Sequence, residues 1–210
     1  MTKIVAFSDL HGQYSKKLTR WFNEHPADIL LFAGDLQLNG YDDGSFFLQW
    51  LNSLPYKHKV MIFGNHDGNY DYTMEEVKKY TSIHILNNES ITIDRIKIWG
   101  SPYSVQFGEW WFMKPDNELA EMYENVPDDT DILLTHTPMY GFLDRTIDGV
   151  SAGSISLETR FRDLLELKYH VCGHIHEGAG KMGFGTTGII NCSVLDEKYR
   201  LVNDPVIFEI

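Results

Sequence analysis

Five apolar runs in this chain end in the same manner. Val5-Ala6-Phe7 is followed by Ser8-Asp9-Leu10-His11-Gly12, and Leu30-Leu31-Phe32 by Ala33-Gly34-Asp35. Met61-Ile62-Phe63 leads into Gly64-Asn65-His66-Asp67, Leu133-Leu134 into Thr135-His136-Thr137-Pro138, and Val171-Cys172 into Gly173-His174-Ile175-His176-Glu177. A single Asp or His after a strand is ordinarily a cap or a satisfied polar group. Five such turns in one chain point to a shared site. Their donors are Asp9, His11, Asp35, Asn65, His136, His174 and His176: two carboxylates, one amide and four imidazoles. This thiolate-free mixture suits divalent Mn, Fe, Zn or Ni and fits neither an iron–sulfur cluster nor a calcium loop. Seven ligands exceed the needs of one ion but suffice for two that share a carboxylate.

The elements that must bring these turns together alternate along the chain. Strand patterns cover 3–7, 28–32, 59–63, 131–134, 169–172, 187–192 and 205–210, and helical patterns cover 13–24, 44–54, 73–80, 116–124 and 157–167. Thr73 is a candidate cap for its helix, with Glu75 and Glu76 in the first turn. Residues 83–100 alternate apolar with polar side chains and pivot at Asp94-Arg95, the pattern of a hairpin with one solvated face. A βαβ-like first half followed by antiparallel strands implies a mixed α/β layered sandwich. Open α/β sheets bind ligands just beyond the carboxyl ends of their strands, where all five turns would lie.

Composition narrows the partners. With 210 residues, 43% of them hydrophobic, the chain is expected to build one domain around a sizeable core. The 18 Lys and Arg against 30 Asp and Glu leave a net charge of −12, which disfavours long nucleic acids and anionic membranes. A small anionic substrate needs another source of positive charge, and metal ions would supply it. No run reaches the roughly 20 apolar residues of a membrane span. The opening MTKIVAFSDL enters a strand pattern without signal-peptide character, so the expected compartment is the cytosol. Cys172 and Cys192 lack CxxC spacing and are expected to be small buried hydrophobes.

The blocks Asp9-x-His11, Gly34-Asp35, Gly64-Asn65-His66-Asp67, Thr135-His136 and Gly173-His174-x-His176 resemble, in order and interval, the signature of the calcineurin-like metallophosphoesterase superfamily. IKIWGSPYS at 96–104, PDDTDILLTHTPMYGFLD at 127–144 and HVCGHIHEGAGK at 170–181 resemble more narrowly the metallophosphoesterase-domain-containing, class III cyclic nucleotide phosphodiesterase-like group. The resemblance implies a four-layer α-β-β-α sandwich, two mixed sheets flanked by helices, with residues 1–210 as a single domain. It implies that Asp9, His11 and His176 hold a first ion, that Asn65, His136 and His174 hold a second, and that Asp35 bridges them. The ions, manganese first among the candidates, would share a water or hydroxide that attacks phosphorus. His66 would be the catalytic residue, protonating or stabilising the leaving oxygen.

The resemblance also has gaps. Protein phosphatases of the superfamily continue the Gly-Asp block as GDxVDRG, whose Arg clamps phosphate and whose second Asp orients the catalytic His. Here Leu38 and Asn39 stand at those positions, which argues against phosphoprotein substrates and favours a singly charged diester over a doubly charged monoester. Asp67 is a candidate for orienting His66. Tyr103, Phe107, Trp110, Trp111 and Phe112 form an aromatic cluster read as core packing, with base stacking beside the metals as the other reading. Four histidines outside the blocks, His25, His58, His84 and His170, read as surface or structural. The expectation is a dinuclear metal hydrolase of small phosphodiesters, cyclic nucleotides among them. A small-metabolite monoesterase, a metal-binding adaptor without turnover and a nuclease follow in that order.

Overall fold

The computed structural model describes residues 1–37, 44–68 and 70–210. Its first sheet has the order β13-β1-β2-β3-β4. Strands β1 (Lys3–Phe7), β2 (Ile29–Ala33), β3 (His58–Ile62) and β4 (Ile83–Ile85) run parallel, and β13 (Val206–Glu209) lies antiparallel to β1. The second sheet has the order β11-β12-β10-β9-β6-β5. Within it β6 (Ile96–Ser101), β9 (Ile132–Thr135), β10 (Tyr169–Cys172) and β12 (Thr187–Asn191) are parallel. Its margins, β5 (Glu89–Ile93) and β11 (Gly180–Phe184), are antiparallel. A short parallel pair, β7 (Ser104–Val105) and β8 (Met113–Lys114), stands apart.

Side-chain alternation along the strands builds the layers. In β1, Ile4 and Ala6 face the second sheet and join Ile29, Leu31, Val60 and Ile62 against Ile98, Ile132, Leu134, Val171 and Ile190. Val5 and Phe7 face the other way, with Leu30, Phe32, Met61 and Phe63. Helices α1 (Lys16–Glu24) and α2 (Ser45–Ser53) cover that face with Leu18, Phe22, Phe47, Leu48 and Leu51. Helix α3 (Tyr70–Val77) follows α2 and adds Met74 and Val77. On the outer face of the second sheet, Trp99, Leu133 and Ile189 meet Leu119 and Tyr123 of α4 (Asp116–Tyr123) and Leu157 and Phe161 of α5 (Ile155–Asp163). The result is a four-layer α-β-β-α sandwich. Period-two strands placed between two helical layers bury both of their faces, which is why β2 is buried at every residue.

Local chemistry sets several boundaries. Ser15 and Ser154 cap α1 and α5 by accepting from the N–H groups of Leu18 and Leu157. The Asp94-Arg95 pivot is a two-residue turn with φ of 49° and 73°, the left-handed pair that joins strongly twisted strands. Three expectations change. The 83–100 hairpin is confined to β5 and β6, because β4 pairs parallel with β3 in the other sheet. Thr73 does not begin its helix: α3 starts at Tyr70, and Thr73 is buried inside it. Strands β7, β8 and β11 were not expected, since Gly180-Lys181-Met182-Gly183-Phe184 carries little strand propensity and is held by β12. Among the described residues no helix is long and apolar enough to cross a membrane. Cys172 and Cys192 are buried free thiols.

Candidate metal centre

The carboxyl ends of β1, β2, β3, β9 and β10 lie at one edge of the sandwich, and the turns after β1, β2 and β10 contain left-handed residues. Asp9, His11, Asp35 and His174 all have left-handed backbones, with φ of 57°, 44°, 59° and 69°. That conformation costs a non-glycine residue on the order of 1–3 kcal/mol and concentrates at functional sites. Gly64 and Gly173 serve close approach: a Cβ on Gly64 would collide with the Asp35 carboxylate, and one on Gly173 with Ser8 and Asp9. Gly64, expected to permit a sharp turn, is therefore needed chiefly because Asp35 occupies its side-chain space.

The seven expected donors converge. Asp9 Oδ1 lies 3.4 Å from His176 Nε2, and Asp35 Oδ2 lies 3.3 Å from His136 Nε2 and 3.7 Å from His11 Nε2. Asn65 Oδ1 is 3.1 Å from His136 Nε2. Three donor groups have all their ligand atoms within 4.8 Å of one another: Asp9, His11 and His176; Asp35, His136 and His174; and His11, Asp35 and His66. The far ring nitrogens explain the orientation. Nδ1 of His11, His136 and His176 donates to the carbonyls of Gln37, Ala33 and Asp196 at 3.0, 2.7 and 2.9 Å. A carbonyl can only accept, so each ring carries its Nδ1 hydrogen outward and turns Nε2 inward, toward the carboxylates. His11 and His176 thus bring two such nitrogens to 3.3 Å. Inward-facing ring nitrogens among carboxylates are an arrangement that a cation completes, so the residues present fit divalent metal.

Electrostatics follow from these pairings. Burial raises the Asp9 carboxyl, but His176 and His136 outweigh it and hold Asp9 far below the usual carboxylate range. Asp35 is held low in the same way against burial, by His136, His11 and His66. Burial depresses His136 and His176, yet Asp35 and Asp9 lift them to about 9. His174 is pushed down to about 3 by burial and by His136.

The supporting residues were not expected. Asp9 Oδ2 accepts from both Ser8 Oγ and Ser193 Oγ at 2.5 Å, and both Asp9 oxygens accept from the His174 N–H at 3.1 Å. Asn191 Nδ2 donates to the carbonyls of Leu143, Gly173 and Ile175, pinning the β10 turn. A signal existed: Asn191-Cys192-Ser193 is a sixth polar strand end at the same edge. Asp67 does not serve as an orienting group for His66 in the expected way. Its two oxygens accept from the N–H groups of Gly64, Asp35, Leu36 and Gln37 at 2.7–3.1 Å and tie the β2 and β3 turns together. Burial and the Asp35 charge push Asp67 up to about 8, against the pull of those N–H groups. The backbone N–H of His66 donates to Asp35 Oδ1 at 2.9 Å.

A cavity of about 210 Å³ opens on this cluster, lined by His11, Asp35, Asn65, His66, His174 and His176 together with Phe107, Glu177, Glu197 and Tyr199. Here the core-packing reading of the aromatics fails in part. Phe107 is 67% exposed and Trp110 41%. The Trp110 ring lies 4.3 Å from that of His66, and Phe107 lies 5.7 Å from His174. Phe112 and Tyr103 do pack inward, Phe112 stacking on Phe63 at 5.7 Å. The loop is tethered by its half-buried members, Tyr103 and Phe112, and shows Phe107 and Trp110 to the site. His170 is buried, with Nε2 2.8 Å from Thr135 Oγ1, and His25 stacks on Trp21, both structural as expected. Leu38 and Asn39 lie outside the described residues.

A family model described as calcineurin-like phosphoesterase matches residues 2–178. The chain belongs to the calcineurin-like phosphoesterase family. Metallophosphoesterase domain-containing protein 1 of Homo sapiens is 31% identical over 236 residues, spanning 100% of this chain and 71% of the relative. Two solved structures share the fold. A novel archaeal phosphodiesterase superposes with a TM-score of 0.53 at 15% identity, covering 98% of this chain and 99% of its own. A dimetal phosphatase from Danio rerio does so with 0.51 at 10% identity, covering 90% and 86%. Membership makes this chain a metallophosphoesterase by family, and its Asp and His groups could hold metal ions.

Proposed function

We propose that residues 1–210 act as one domain that hydrolyses small phosphodiesters with two divalent ions, manganese foremost. Asp9, His11 and His176 would hold the first ion, Asn65, His136 and His174 the second, and Asp35 would serve both. The observation that carries this reading is the position of one oxygen, Asp35 Oδ2, between His136 Nε2 at 3.3 Å and His11 Nε2 at 3.7 Å. When bound, the ions supply Lewis acidity and a water acidic enough to attack phosphorus at neutral pH. The protein does the rest. Ser8, Ser193 and the His174 N–H hold Asp9, and three carbonyls aim the imidazoles. His66, placed by its N–H bond to Asp35 and flanked by Trp110, donates a proton to the leaving oxygen.

A diester is favoured because none of the described cavity-lining residues is Lys or Arg, while Glu177 and Glu197 add negative charge. A dianionic monoester meets more repulsion there than a monoanion does. The test uses bis(4-nitrophenyl) phosphate and manganese-loaded protein. Asp35→Ala and His66→Ala should each lower kcat/KM on the order of a thousandfold, and only Asp35→Ala should also strip metal. Undiminished turnover in either variant refutes the assignment. Metal uptake without any turnover, even with added manganese, indicates a binding protein instead.

A further inference from the structure

Beside the metal cavity lies a second one of about 370 Å³, lined by Val105, Phe107, Thr146, Ala152, His174 and Ile175. The two cavities share Phe107 and His174 as a common wall. Their chemistry is opposite. One is walled by carboxylates and imidazoles; the other, among the described residues, has no acidic group, no Lys or Arg, and Thr146 and His174 as its only polar side chains. We infer that this apolar slot seats an uncharged aromatic ester group of the phosphodiester whose phosphorus sits at the metal cluster, an inference that rests on the function proposed above.

Charge, size and shape support it. Glu177 and Glu197 border the metal cavity, so a substrate with a second anionic group meets repulsion, and a bulky substituent is better directed to the uncharged side. A cavity of about 150 Å³ is enough to bind benzene, so the slot has room for a fused ring system or a ring with its sugar. Phe107 offers a flat face that is 67% exposed, its ring 5.7 Å from that of His174. A planar occupant would cover that face and gain stacking as well as burial. Val105 and Phe107 come from the strand and loop after β6, and Thr146 and Ala152 from the loop before α5. Apart from His174 and Ile175 of the β10 turn, the slot is therefore assembled from segments that supply no metal ligand.

The test compares two singly charged ligands on manganese-loaded protein by titration calorimetry: phenyl methylphosphonate and methyl methylphosphonate. The phenyl ligand should bind at least about tenfold more tightly. Ala152→Trp, which fills the slot, should bring the ratio of the two Kd values to about one. Phe107→Ala, at an exposed position where folding is not at risk, should reduce the ratio about fivefold. Equal affinities in the wild-type protein, or a preference that survives in both variants, overturns the inference. Turnover of bis(4-nitrophenyl) phosphate is measured on the same samples. Turnover with equal affinities removes the slot alone, whereas no turnover and no binding of either ligand removes the phosphodiesterase reading and the slot with it.

Discussion

The two sheets make unlike contributions to the candidate metal centre. The turns of the first sheet bring both carboxylates, Asp9 and Asp35, with His11 and Asn65, while the turns of the second bring only imidazoles, His136, His174 and His176. The short carboxylate–imidazole contacts, Asp9 to His176 and Asp35 to His136, both cross between the sheets. The bracing is unlike as well. Asp67 gathers four N–H donors in the first sheet, whereas Asn191 offers its amide hydrogens to three carbonyls beside the second. Carboxylates on one side and imidazoles on the other give a site that closes only when the sheets pack. The carboxylates lift the imidazoles that face them across the seam, His136 and His176.

That last point sets the largest expected effect. His136 and His176 are lifted to about 9, so both carry protons at neutral pH, whereas His174, near 3, does not. A cation must displace those two protons, so affinity falls as pH falls below 9 and rises toward it. Manganese binding should strengthen roughly a hundredfold per pH unit between 7 and 8, with about two protons released per loaded site. Calorimetry in buffers of different ionisation enthalpy counts them; release of none would erase the contrast between the sheets.

The braces come next. Asp67→Asn turns an NH₂ toward N–H donors and should lower unfolding free energy by about 3 kcal/mol in urea titrations. Asn191→Asp sets a carboxylate against three carbonyls and should cost about 2 kcal/mol, less because one of its three bonds is long, at 3.4 Å. Equal costs would mean that the opposite polarities of the two braces are immaterial. Ser193→Ala removes one of the donors to Asp9 and should weaken manganese binding about fivefold, with Ser193→Thr restoring it. Loss of stability without loss of metal affinity would make Ser193 a packing residue only.

Much of this was legible in one dimension. Asp94-Arg95 showed as a pivot because a two-residue turn between alternating strands is a local event. The five polar strand ends showed because strand pattern and turn residues are also local. Thr73 misled: a Thr followed by two Glu has the look of a cap, but the burial of α3 against the first core carried the helix one turn further back. Phe107, Trp110 and Phe112 are one composition and three environments, since exposure depends on where β7 and β8 anchor their loop. Ser193 and Asp67 do their work 184 and 32 residues away in sequence, at Asp9 and Asp35.

The order of residues alone determined which side chains stand at strand ends, hence the donor set and the metals it suits, because backbone periodicity and turn chemistry act over a few neighbours. Only the packed sheets decided that an oxygen of Asp35 faces imidazoles from both halves, that carbonyls aim their rings, and that an apolar slot adjoins the cluster. Those are contacts between distant segments, set by burial and by how two twisted sheets meet.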